Sequence, residues 1–164
     1  MQHRWLANLL TTRWSLRRHF PPAVLDAIEQ AIAASEQRHS GELRFAVESA
    51  MDLASLARGH TARERAIEAF SRLHVWDTDA NNGVLIYLLL AEKDIEIVAD
   101  RGFNGKVSAQ QWQAVCTAME QAFAEGHYEQ GTLAGIEAIC VLIRAHFPPK
   151  AGDENELPNR PAVL

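Results

Sequence analysis

An α/β chain, folded as a three-layer α/β/α sandwich with helices on both faces of a mixed sheet, is the class that three features of the sequence predict. Residues 84–90 are apolar at every position, as in a strand covered on both faces. Residues 42–48 alternate, with Leu43, Phe45 and Val47 set against Glu42, Arg44 and Glu48. Stretches of helical period lie before, between and after these strands. With 164 residues, 48% of them apolar, the chain can bury one core as one domain. A net charge of −5 and a pI of about 5.8 argue against a nucleic-acid partner, and two cysteines cannot build a disulfide scaffold.

The elements follow in order. Residues 1–21 form a basic amphipathic arm in which Arg4, Arg13, Arg17 and Arg18 meet no acid, and a helix over 3–18 would set Trp5, Leu6, Leu9, Leu10 and Leu16 opposite the arginines. That sector packs on its own domain, or it docks on a protein partner or an anionic membrane surface. The domain proper spans 22–147 and opens with a helix over 22–39, with prolines at its start and Gly41 past its end. Strand one follows at 42–48, and 49–60 has no clean period. Thr61 and Glu64 make a capping box for a second helix with apolar face Ala62, Ala66, Ile67, Phe70 and Leu73.

The apolar run 84–90 is strand two, and Glu92, Lys93 and Asp94 turn it into strand three, where Ile95, Ile97 and Ala99 face one side and Val98 the other. Ser108 and Gln111 cap a helix that presents Trp112, Val115, Cys116, Met119 and Phe123 and ends at Gly126. A last helix over 128–146 stops before Pro148 and Pro149. Residues 148–164 are a polar, proline-containing tail, expected to fray or to serve as a docking tag. The longest strictly apolar run, Gly83 to Ala91, is far short of the roughly 20 residues a spanning helix needs. The first residues lack the unbroken apolar stretch of a secretory signal, so the chain is expected in the cytoplasm or at the periphery of the membrane.

Oxygen donors concentrate in His74–Gly83, where Asp77, Asp79, Asn81 and Asn82 precede the buried strand. Calcium or magnesium accepts such donors, and an Asx-turn that starts the strand is the plainer alternative. After strand three, Asp100-Arg101-Gly102-Phe103-Asn104-Gly105 adds a carboxylate and a guanidinium suited to a phosphate, or simply a glycine-rich turn. Seven histidines show no zinc-type pairing, and Cys116 and Cys140 fall on apolar helix faces.

Together Ser40-Gly41-Glu42, Ala66 to Phe70, Asn82-Gly83-Val84-Leu85-Ile86, Asp94 to Ile97, Arg101-Gly102, and Tyr128, Gly131 and Ile136 resemble the TPM domain family over residues 22–147. The resemblance implies an α/β/α sandwich, divalent-metal binding near strand ends, weak acid phosphatase activity in a plant member and membrane-associated accessory roles elsewhere. Two departures stand out: Gly102-Phe103-Asn104 where much of the family has Gly-x-Gly, and Lys106-Val107-Ser108 where an aspartate often follows. The leading expectation is a non-catalytic accessory or scaffold module of a cytoplasmic, bacterial-like branch. It binds Ca2+ or Mg2+ through Asp77, Asp79, Asn81 and Asn82 with Asp100. The alternatives are a metal-assisted phosphatase in which Arg101 holds the phosphoryl oxygens, and an interaction module that uses residues 3–18.

Overall fold

Strands β1 (Glu42–Glu48) and β2 (Gly83–Leu89) pair in parallel from Glu42 opposite Gly83 to Glu48 opposite Leu89. Strand β3 (Asp94–Ala99) returns antiparallel to β2 across a turn whose Lys93 has φ +52. A two-residue strand, β4 (Ala162–Val163), lies parallel on the other side of β1, so the order is β3-β2-β1-β4. The computed structural model describes residues 2–164, with side chains from Arg4 onward. Met1 and the side chain of His3, one of the seven histidines considered above, lie outside the described residues.

Seven helices accompany the sheet among the described residues: α1 (Gln2–Leu10), α2 (Arg13–His19), α3 (Pro22–Glu36), α4 (Leu53–Ala57), α5 (Ala62–Arg72), α6 (Ala109–Ala124) and α7 (Tyr128–His146). Alternation in β1 and β2 sorts the core into two layers. Leu43, Phe45, Val47, Val84, Ile86 and Leu88 pack with Ile28, Ile32, Met119, Phe123, Ile136 and Ile139 from α3, α6 and α7. On the other face Ala46, Leu85, Tyr87 and Leu89 pack with Leu56 of α4 and with Ala62, Ala66 and Ala69 of α5. Helices thus cover both faces of a mixed sheet, as the sequence predicts.

Both capping boxes form: Thr61 and Glu64 satisfy each other's main-chain amides at the start of α5, and Ser108 and Gln111 do so at α6. Five expectations change. The arm is two helices broken at Thr11 and Thr12, and only Leu16 among its named apolar residues joins the core, followed by Phe20. Helix α3 ends at Glu36, and Asp52 caps an unforeseen short helix by accepting from the Ser55 amide at 2.9 Å. On α5, Ile67 is exposed and Ala69 is buried in its place, because small residues let the helix approach the sheet closely. The tail is folded back: Leu157 is buried, Arg160 pairs with Asp26 and Glu29 of α3, and β4 covers backbone groups that the edge of β1 would otherwise expose.

Candidate functional site

The first residues of β1 and β2 and the last of β3 share one end of the sheet, so segments 40–41, 74–82 and 100–107 meet there. Segment 49–60 lies at the opposite end, beside the hairpin turn, where the Ala91 amide donates to the Ser49 carbonyl at 3.0 Å. The parallel β1–β2 pair forces this division, since the antiparallel β3 reverses which of its ends faces the loop before β2.

Backbone hydrogen bonds lock the near end. The Gly102 amide donates to the Asn81 carbonyl at 2.8 Å, and the Asp100 amide to the Gly83 carbonyl at 2.9 Å. Two glycines permit close backbone approach here, Gly102 between the two loops and Gly83 where the 74–82 loop folds back on its own strand. A Cβ on Gly83 would overlap the Val75 carbonyl, and one on Gly102 would overlap the Asn81 carbonyl and lie 2.9 Å from that of Ala80. Asn81 itself takes the left-handed conformation, φ +52, to turn the loop into the strand. The Asn82-Gly83 and Arg101-Gly102 pairs are therefore two halves of one loop-to-loop contact.

The candidate residues divide around this lock. Asn82 is 1% exposed, and its Nδ2 donates to the Ser40 carbonyl at 2.5 Å, which identifies its Oδ1 as the other amide atom. That Oδ1 is buried without a hydrogen-bond partner, and so is Oδ2 of Asp100. Asp100 Oδ1 caps the 3-10 turn Arg101–Phe103 by accepting from the Arg101 amide at 2.7 Å. Asn81 Oδ1 is engaged by Arg101 Nε at 2.7 Å, so this guanidinium ties two loops together. Asp77 and Asp79 are exposed.

Asp79 and Asn82 line a cleft of about 430 Å3 with Ser40, Lys150, Asp153, Glu154 and Glu156. The tail supplies much of its wall, and Glu156 accepts from the Asp79 amide at 2.8 Å. These tail carboxylates were missed from sequence, although the run Asp153-Glu154-Asn155-Glu156 is a local charge cluster that could have flagged them. Among the described residues, no three His, Cys, Asp or Glu side chains converge to hold a metal ion. The side-chain oxygens at this end are those of an amide, Asn82, and of carboxylates, Asp79, Asp100 and Glu156. That donor set fits calcium, which takes six to eight such oxygens, better than a metal that selects imidazole or thiolate.

Burial shifts the titratable groups beside the cleft toward their neutral forms. Burial raises Glu36 to about 8, and it also raises Glu42, whose Oε2 accepts from the Leu157 amide at 3.1 Å. Burial lowers His39 to about 4, and both of its ring nitrogens lack partners. Cys116 and Cys140 are buried, and burial pushes the Cys116 thiol up to about 12, far from a reactive thiolate.

Fold and site together define a small three-layer α/β/α domain whose sheet end is a glycine-locked, oxygen-lined edge. The chain belongs to the TPM domain family, whose model matches residues 18–141. It is similar to the BA42 protein from the psychrophilic bacterium Bizionia argentinensis, with 32% identity, a TM-score of 0.76, and coverage of 87% of this chain and 93% of that one. The N-terminal domain of a protein from P. gingivalis shares the fold at 17% identity and a TM-score of 0.60, with coverage of 76% of each chain. A search of curated proteins gives no match. Among the described residues no helix is long and apolar enough to cross a membrane.

Proposed function

We propose that this domain is a non-catalytic accessory module of the cytoplasm that binds a divalent cation, calcium foremost and magnesium second, at the end of the sheet where β1 and β2 begin. One observation carries the reading. Among the described residues, Asn82 Oδ1 and Asp100 Oδ2 are the two buried side-chain oxygens without a hydrogen-bond partner, and both lie at this end. Leaving a buried acceptor unsatisfied costs about 1–3 kcal/mol, so two at one end of the sheet favour an occupant there that takes oxygen ligands. Asn82 and Asp100 would hold the cation, with Asp79 beside Asn82 adding negative charge in the cleft. Asn81 and Arg101 serve as the tie that keeps the two loops in register.

Thermal unfolding of chelator-stripped protein with and without calcium or magnesium tests this. A rise in midpoint with added cation is expected, and it should vanish in Asp100→Asn, which keeps an oxygen for the Arg101 amide while removing the charge. An equal rise in wild type and Asp100→Asn would remove Asp100 from the site. Metal-dependent hydrolysis of a phosphate ester that Arg101→Ala abolishes would replace the accessory role with the phosphatase alternative.

A further inference from the structure

Helix α1 sits on the domain by its polar side. Arg4 Nε reaches both Glu92 oxygens at 2.8 Å, and its guanidinium also donates to the His60 carbonyl. One turn later Asn8, 5% exposed, donates to Glu92 at 2.8 Å and accepts from the Met51 amide at 2.7 Å. Arg4 and Asn8 share one helical stripe, and Leu6, Leu9 and Leu10 occupy the opposite one. Those leucines are consequently 55%, 56% and 75% exposed, and Trp14 at the start of α2 is 69% exposed. A surface helix normally buries its apolar stripe, so this arrangement is inverted.

The same segment carries uncompensated positive charge. Arg4 is neutralised by Glu92, whereas Arg13, Arg17 and Arg18 of α2 make no ion pair among the described residues. Arg18 lies over the Trp14 ring, 5.8 Å from its centroid, and Arg13 and Arg17 border an apolar hollow with Leu25, Val163 and Leu164. The chain carries −5 overall and +4 over its first 25 residues, leaving −9 on the remainder.

We propose that α1 and α2 form a docking face for an anionic lipid bilayer. Leu6, Leu9 and Leu10 enter the boundary between headgroups and acyl chains, Trp14 lies at headgroup depth, and the three arginines meet lipid phosphates. The acidic remainder of the chain is repelled by the same surface, which fixes the domain's orientation over the bilayer. A second copy of the chain is the poorer occupant, because a two-fold contact through this face would bring Arg13, Arg17 and Arg18 of both copies together.

Sedimentation of the full chain with phosphatidylcholine–phosphatidylserine vesicles tests the proposal, with phosphatidylcholine vesicles alone as the neutral comparison. Binding is expected only to the anionic vesicles and should fall as salt rises. At roughly fivefold per basic residue, Arg17→Glu with Arg18→Glu should weaken it at least about 25-fold. Leu9→Glu with Leu10→Glu should abolish it while leaving the unfolding midpoint in place, and Ile67→Glu, on the exposed side of α5, should change nothing. Equal binding to neutral vesicles, no binding to anionic ones, or full binding by the leucine variant would each overturn the proposal. Lipid-free dimerisation that Leu9→Glu abolishes would overturn it in favour of self-association.

Discussion

At the end of the sheet where β1 and β2 finish, the Glu48 carboxylate accepts from Arg65 at 2.7 Å and also from the Tyr87 hydroxyl, and Asn8 spends its amide on Glu92 and Met51. At the end where the same strands begin, Asn82 and Asp100 each keep one buried oxygen with no partner, behind a backbone lock that two glycines make possible. The two ends differ in how completely their side-chain oxygens are satisfied. Burial disfavours charge on Arg65, yet its pairing with Glu48 prevails and raises its pKa. Burial and then the bond to Glu48 hold the Tyr87 hydroxyl protonated. Among the described residues the far end leaves His60 Nδ1 without a partner but no side-chain oxygen, whereas the near end leaves two side-chain oxygens unpartnered.

The largest effect expected is on the lock. Gly83→Ala puts a methyl into the Val75 carbonyl and should destabilise the fold by more than about 4 kcal/mol, measured by denaturant unfolding. If Gly83→Ala is tolerated, the near end is pliable and its unpartnered oxygens lose their meaning. At the far end Arg65→Met strands the buried Glu48 charge and should cost about 3 kcal/mol by the same measurement.

Next comes pH. The Glu36 pKa is raised in the fold, so the folded state holds that proton more tightly than the unfolded chain. Its contribution is full below the ordinary carboxylate range and is lost as pH climbs toward about 8. His39 acts oppositely: its lowered pKa costs stability as pH falls from about 6.5 toward about 4. The two offset each other at acid pH, leaving a net decline from about pH 6.5 to 8 with a slope of at most about 1.4 kcal/mol per pH unit. Glu36→Gln should flatten that decline in unfolding curves taken at several pH values. The smallest expected effect is Asp77→Ala, which alters an exposed loop carboxylate and should shift stability by less than about 0.5 kcal/mol and leave cation response intact.

Much of this division is legible in the sequence where the signal is local. The apolar run that becomes β2, the alternation in β1 and the two capping boxes each need only neighbours within four residues. Asn82-Gly83 and Arg101-Gly102 are visible as motifs, and the structure supplies their reason in a backbone approach that admits no side chain. What escapes is long range. The two residues of β4 pair with β1 across more than 100 positions, and the seat of α1 depends on Arg4 meeting Glu92, 88 positions away. The same distance hides the tail carboxylates beside Asn82, because folding back of 148–164 has no periodic signature.

The central claim, that the near end of the sheet is completed by a divalent cation, is tested most directly by calorimetric titration of calcium into chelator-stripped wild type and Asp100→Asn at physiological ionic strength. The account predicts saturable one-to-one binding by the wild type, unchanged in Asp77→Ala and lost in Asp100→Asn. No heat and no cation-dependent stabilisation in the wild type, or binding undiminished by Asp100→Asn, would contradict it.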